Sequence, residues 1–254
     1  MRKSFLYILL LFCCFIVSNP AEVQAETATA SYPKDNEFYG SVTRLLQAHV
    51  AEGQVNYSKL RKNQDRLQGL VQQIAVYNLR DASDAERKAF YLNAYNILVL
   101  QQVVKHYPLK SVMDVPGFFD KEQHTVAGEK LTLNALEKQK LLTPYQDARI
   151  HFALVCAAKS CPPLLNQAYI PAQVEAQLET QAKRTLQHPQ FIRVQTAGKE
   201  VLVSEIFKWY RQDFLREASS IPAYINRYRT STLPQGYSLG YYTYNWALND
   251  SNRQ

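Results

Sequence analysis

The chain has 254 residues, 46% of them hydrophobic and 20% charged, with 8 Gly and 11 Pro. That balance excludes a disordered tail, a collagen-like rod and a many-span membrane protein. The formal net charge is +7, but the basic residues are scattered, so no nucleic-acid partner is expected.

Met1, Arg2 and Lys3 form a short basic start, and Phe5 to Val17 is an apolar run of 13 residues. Asn19 and Pro20 break it, and Val23 and Ala25 place small residues at the −3 and −1 positions of a cleavage site. This is the layout of a secretory signal peptide, residues 1–25, removed before Glu26. The run is short for a membrane span, which needs about 20 residues. Phe12 before Cys13 also disfavours a lipid anchor. The expectation is a periplasmic or secreted protein with no integral membrane segment after cleavage. Of its four cysteines only Cys156 and Cys161 then remain, in a compartment where a disulfide can form.

Residues 26–37 read as a flexible lead-in, polar and poor in large aliphatics. From Phe38 to about Ala51, Val42, Leu45, Leu46 and Val50 recur at helical spacing. Gly53 ends that helix, and Ser58 is a candidate cap for the next, which runs from Leu60 to Val76. Ser83 or Asp84 opens the longest helical pattern, closed after His106 by Pro108. Two later segments each read as a hairpin feeding a helix. In the first, Ala127 and Gly128 turn the chain, and Asn134 and Glu137 have capping-box spacing. In the second, Ala197 and Gly198 turn the chain, and Ser204 caps a helix through Arg216. Between them the alternating run from Ile150 to Val155 reads as a strand, and Ala172 to Gln187 as an amphipathic helix. The expected fold is α+β in a single domain over residues 38–254. Its N-terminal helices would pack on a small mixed or antiparallel sheet with hairpin-to-helix units.

Chemistry-bearing residues fall in three places. Asn93 and Asn96 sit within the apolar stripe of the long helix. A buried amide without partners costs about 1–3 kcal/mol, so each must either brace loop backbone or face a substrate or oxyanion. His151 lies on the expected strand, about 16 Å from Cys156 if that strand persists, whereas Cys161 can return toward it around the intervening turn. The two cysteines fit a disulfide, or a nucleophile with His151 as base, better than a metal site, which lacks a third ligand nearby. His124, beside Glu122, becomes a second acid–base candidate only if the fold carries it to a cleft. Trp209 and Asp213 lie four apart and can share a helix face, where an indole N–H and a carboxylate either form a structural pair or orient a neighbour such as a histidine. The chain carries no phosphate-binding loop, dinucleotide fingerprint, HExxH or GxSxG motif, and no cofactor or metal is expected.

Six motifs occur in order: VNYSKL (55–60), AFYLNAYNILVLQQV (89–103), HTVAGEKLTLNALEK (124–138), RIHFALVCAAKSCPPL (149–164), KWYRQDF (208–214) and YNWALN (244–249). Together they resemble the family called domain of unknown function 547, over roughly residues 40–250. The sequence has AFYLN where that family often has AFWIN, and Asn245 where its tails often carry aspartate. Asn93, Tyr95, Asn96, His151, Cys156, Cys161, Trp209, Asp213 and Trp246 match its motif positions. The resemblance implies an exported or modular α+β domain and brings no established reaction.

Two functions stand open at this level. One is a thiol-dependent hydrolase or acyl transferase for peptide-like or amide substrates. Cys161 or Cys156 would be its nucleophile, His151 its base, and Asn93 or Asn96 an orienting or oxyanion group. The other is a non-catalytic binding or scaffold domain with a structural Cys156–Cys161 disulfide. There Tyr237, Tyr241, Tyr242, Tyr244 and Trp246 would contact a glycan, peptide or partner protein.

Overall fold

A computed structural model describes residues 36–252. The expected signal peptide and most of the lead-in lie outside these described residues. Helix α1 (Asn36–His49) leads into a two-residue hairpin, β1 (Val50–Ala51) and β2 (Gln54–Val55). Helices α2 (Tyr57–Lys62) and α3 (Asp65–Val76) follow. The single helix expected from Leu60 to Val76 is therefore divided, and its first part is capped by Asn56, whose side chain accepts from Lys59 N. Ser58 lies inside that helix and is not its cap.

Helix α4 (Asp84–His106) is the centre of the fold. Its start is fixed by the Ser83–Glu86 capping box, with both reciprocal bonds formed. Every residue from Ala89 to Leu100 is buried, so the helix is wrapped on all sides. Helix α3 packs along it on one side, and the chain beyond residue 133 packs against it elsewhere.

The short 3-10 turn Val112–Asp114 precedes an antiparallel hairpin, β3 (Gln123–Val126) and β4 (Glu129–Thr132). Its turn lies at Ala127 and Gly128, both with positive φ, as the sequence predicts. Next come α5 (Leu133–Ala135), a π-helical stretch Leu136–Leu142 and α6 (Thr143–Tyr145). The start of α5 is capped by Thr132, whose hydroxyl accepts from Ala135 N, and not by Asn134. Glu137 is thereby released from the capping role its spacing suggests.

The expected strand Ile150–Val155 is absent. Ala148–Phe152 is instead a 3-10 helix. Asp147 caps it through Arg149 N, and Glu217 accepts from Ala148 N. Farther along, Asn96 accepts from Val155 N and donates to Ala153 O. Side chains therefore satisfy the backbone groups that a neighbouring strand would have engaged. Residues 150–155 are all buried, so their alternation does not report a half-exposed sheet face.

After the turn Pro171–Gln173, helix α7 (Val174–Gln187) leads to β5 (Ile192–Gln195) and β6 (Glu200–Ser204). Helices α8 (Ile206–Trp209), α9 (Arg211–Glu217) and α10 (Ile221–Asn226) precede β7 (Ser238–Tyr242). β5 and β6 are antiparallel, and β7 joins β6 in parallel register to make a mixed three-stranded sheet. The helix expected from Ser204 to Arg216 breaks at Tyr210, which leaves helical geometry at φ −109° and ψ 27°.

The final segment returns across the molecule. Ala158 bridges Leu248, Ser111 bridges Ala247 and Val55 bridges Asp250. Lys159 N donates to Ala247 O, Ser160 N to Asn245 O and Asn249 N to Ala157 O. Gly53 lets the β1–β2 turn lie against the loop after Cys161. Its φ is +78°, and a side chain there would come within 2.5 Å of Pro163. Among the described residues no helix is long and apolar enough to cross a membrane.

Candidate functional site

Stretches far apart in sequence meet around a cavity of about 230 Å³. The 3-10 helix and the loop after it bring His151, Leu154, Cys156 and Cys161, and α4 contributes Tyr95. Asn134 and Glu137 come from the segment after β4, Trp209 and Tyr210 from the break between α8 and α9, and Tyr244 and Trp246 from the tail.

Cys156 and Cys161 are bridged as a disulfide, with Cα atoms 6.2 Å apart. Cys156 N also points at Cys161 Sγ, 2.9 Å away. The Tyr244 hydroxyl lies 3.1 Å from Cys156 Sγ and 3.3 Å from Cys161 Sγ, so one phenol caps both sulfurs. Burial raises the pKa of Tyr244, which keeps the phenol protonated. A bridged sulfur is not a thiolate, so neither cysteine is a nucleophile in this state.

His151 does not pair with a sulfur. Its Nε2 donates to Asp213 Oδ2 at 2.8 Å, and its ring lies 4.0 Å from the Tyr210 ring, centroid to centroid. Phe214 covers it from behind at 5.4 Å. The kink at Tyr210 makes this possible, because Trp209 and Asp213 diverge instead of sharing one face. Trp209 turns to the tail, 5.8 Å from the Trp246 ring and 4.9 Å from the Tyr244 ring. Asp213 turns to the histidine. The 3-10 conformation also shortens the segment that an extended strand would have stretched, and His151 lines the same cavity as both cysteines.

The hydrogen bond from His151, aided by its charge and that of Arg216, holds the Asp213 carboxyl below the usual carboxylate range against the opposing effect of burial. A carboxyl with a depressed folded pKa stabilises the fold above its unfolded value, about 3.9, and loses that contribution as pH falls through the folded value. Asp213→Asn is therefore expected to flatten the acid limb of stability below about pH 4. Urea midpoints from pH 2 to 7 check this, and an unchanged acid limb would remove the pair from the stability account.

Asn93 and Asn96 do not line the cavity. Asn93 donates to Ala89 O and Tyr169 O and accepts from Tyr169 N. Asn96 makes the two bonds to residues 153 and 155 described above. Both amides clasp loop backbone onto α4, and the catalytic constellation of asparagine, histidine and thiol expected from sequence is not assembled. His124 is buried elsewhere, 2.9 Å from Gln102 Oε1, with its pKa lowered chiefly by burial. The expected aromatic face divides as well. Tyr244 and Trp246 reach the cavity, whereas Tyr242 is buried beneath the Arg193 guanidinium and Tyr237 and Tyr241 pack partly against the core.

Glu137 is the site residue that sequence reasoning missed. It is only 8% exposed and lines the cavity. Its Oε1 accepts from the Tyr210 hydroxyl at 2.9 Å, and the Tyr95 hydroxyl also bonds it. The π-helical stretch Leu136–Leu142, of which it is the second residue, carries i→i+5 bonding, as from Thr143 N to Lys138 O. Such widened turns often re-aim side chains at functional sites. Within LEKQKLL a carboxylate beside two lysines and a glutamine carries no distinctive signal, and its capping-box spacing after Asn134 hid it.

These features define an α+β domain whose ring-walled cavity rests on a disulfide beside a histidine–aspartate pair. Residues 79–186 match the family described as "Protein of unknown function, DUF547", which bears out the sequence resemblance over that central stretch. The match includes Glu137, His151 and both cysteines, while Trp209, Tyr210, Asp213, Tyr244 and Trp246 lie beyond it. No curated protein and no solved structure matches the chain.

Proposed function

We propose that this is an exported binding domain that takes a small ligand group into the ring-walled cavity, with the Cys156–Cys161 disulfide as a structural floor. The observation that carries this reading is the bridged sulfur pair, capped by Tyr244 and enclosed by aromatic rings. Rings supply large, rigid contact area and a polar edge, as binding surfaces require. A cavity of about 230 Å³ suits a head group or single residue of a larger peptide or glycan. The signal-like start of the sequence supports export to a periplasmic or extracellular space, and a bridged pair is at home in such a compartment.

A second reading, the thiol-dependent hydrolase or acyl transferase, has one observation in its favour. His151, held by Asp213, lines the same cavity as both sulfurs, so reduction would place thiols in one cavity with a histidine already oriented by a carboxylate. Alkylation of the unreduced protein, followed by peptide mass mapping, separates the two. The binding reading expects Cys156 and Cys161 to be unlabelled and two hydrogens lighter as a pair. Selective labelling of either cysteine, slowed by His151→Ala, would overturn it in favour of the enzyme.

A further inference from the structure

Resting on the binding reading above, we propose that the cavity selects an organic cation, a quaternary ammonium or guanidinium head group, with Glu137 as its counter-charge. A buried carboxylate is costly unless it is paired. Glu137 is met by two phenol hydroxyls, and among the described residues no lysine, arginine or histidine lies within ion-pair distance of it. The cavity wall includes no lysine or arginine, although the chain as a whole is strongly basic. His151, the wall's one basic side chain, already has Asp213 as its own carboxylate partner. The anion of the site is therefore left for a ligand to balance.

The rings supply the rest of the recognition. Trp209, Tyr210, Tyr244 and Trp246 present π faces and edges around the cavity, and Trp209 is 46% exposed at the protein surface. Cations are attracted to the faces of tryptophan and tyrosine, and most strongly where water is excluded. A tetrahedral trimethylammonium or planar guanidinium group can meet these rings on one side and the Glu137 carboxylate on another. A neutral group of the same shape would fill the same volume and leave the carboxylate uncompensated.

Both tryptophans of the chain line the cavity, so intrinsic fluorescence reports on it directly. Two isosteric pairs serve as probes on the full-length, unreduced protein at physiological ionic strength: choline with its neutral carbon analogue dimethylbutanol, and butylguanidinium with butylurea. At least one cation is expected to bind about tenfold or more tightly than its neutral partner. Glu137→Gln should abolish that preference, bringing the cation and its neutral partner to equal binding. Equal binding within both pairs would overturn the cation inference and leave the pocket reading intact. Binding of none of the four would overturn both. Because the comparison within each pair is made on the unmodified protein, it stands even if Glu137→Gln fails to fold.

Discussion

Replacing Asn96 by leucine is expected to lower the free energy of unfolding by about 2–6 kcal/mol, since it strips partners from two buried backbone groups at about 1–3 kcal/mol each. Those groups are Ala153 O and Val155 N, each 3.0 Å from the Asn96 amide. Leucine is similar in size and apolar, so the loss would come from unsatisfied backbone and not from an empty cavity. The damage should also reach the site, because the clasped segment joins His151 to Cys156. Urea denaturation followed by circular dichroism measures the loss, and a change below about 1 kcal/mol would show that the loop finds other partners.

Phe214→Ala is expected to cost about 3–5 kcal/mol, the range for deleting a buried ring. Phe214 is fully buried at the centre of an aromatic cluster, 4.6 Å from Phe207, 4.9 Å from Tyr224 and 5.9 Å from Phe152 by ring centroids. It also backs the His151 ring and is the chain neighbour of Asp213. The substitution should therefore loosen the His151–Asp213 pair along with the core. Thermal melting gives the stability term. Imidazole resonances of His151 give the local one, and an unchanged His151 spectrum would show the pair to be held by other contacts. Against a typical total stability of about 5–15 kcal/mol, either variant would leave a marginal domain.

What the sequence revealed followed the range of the interactions involved. Helix α4 was legible because Ser83 and Glu86 mark its start and Pro108 its end, each within a few residues of the boundary it sets. The hairpin turns were legible for the same reason, and so was the possible Cys156–Cys161 bridge. The segment 150–155 was misread because its backbone partners come from Asn96, more than fifty positions earlier, and no local pattern records them. His151 and Asp213 were both noticed, but their pairing depends on the kink at Tyr210, which lacks a glycine or proline to announce it. Glu137 had a plausible local duty, which the hydroxyl of Thr132 made unnecessary. The asparagines drew attention as buried amides, and the structural of their two possible roles is the one the fold displays.

The returning tail also orders events during synthesis. A growing chain emerges from its N-terminus, so α4, the disulfide loop and the histidine all precede the segment carrying Tyr244 and Trp246. Until that last stretch is free to dock beside residues 157–160, the sulfurs lack their phenol cover and the cavity lacks one wall. A nascent chain thus carries its cysteines without that cover before closure, and a finished one shields them. Premature termination between the aromatic cluster and Tyr244 would yield a protein whose cavity lacks the wall that Tyr244 and Trp246 supply.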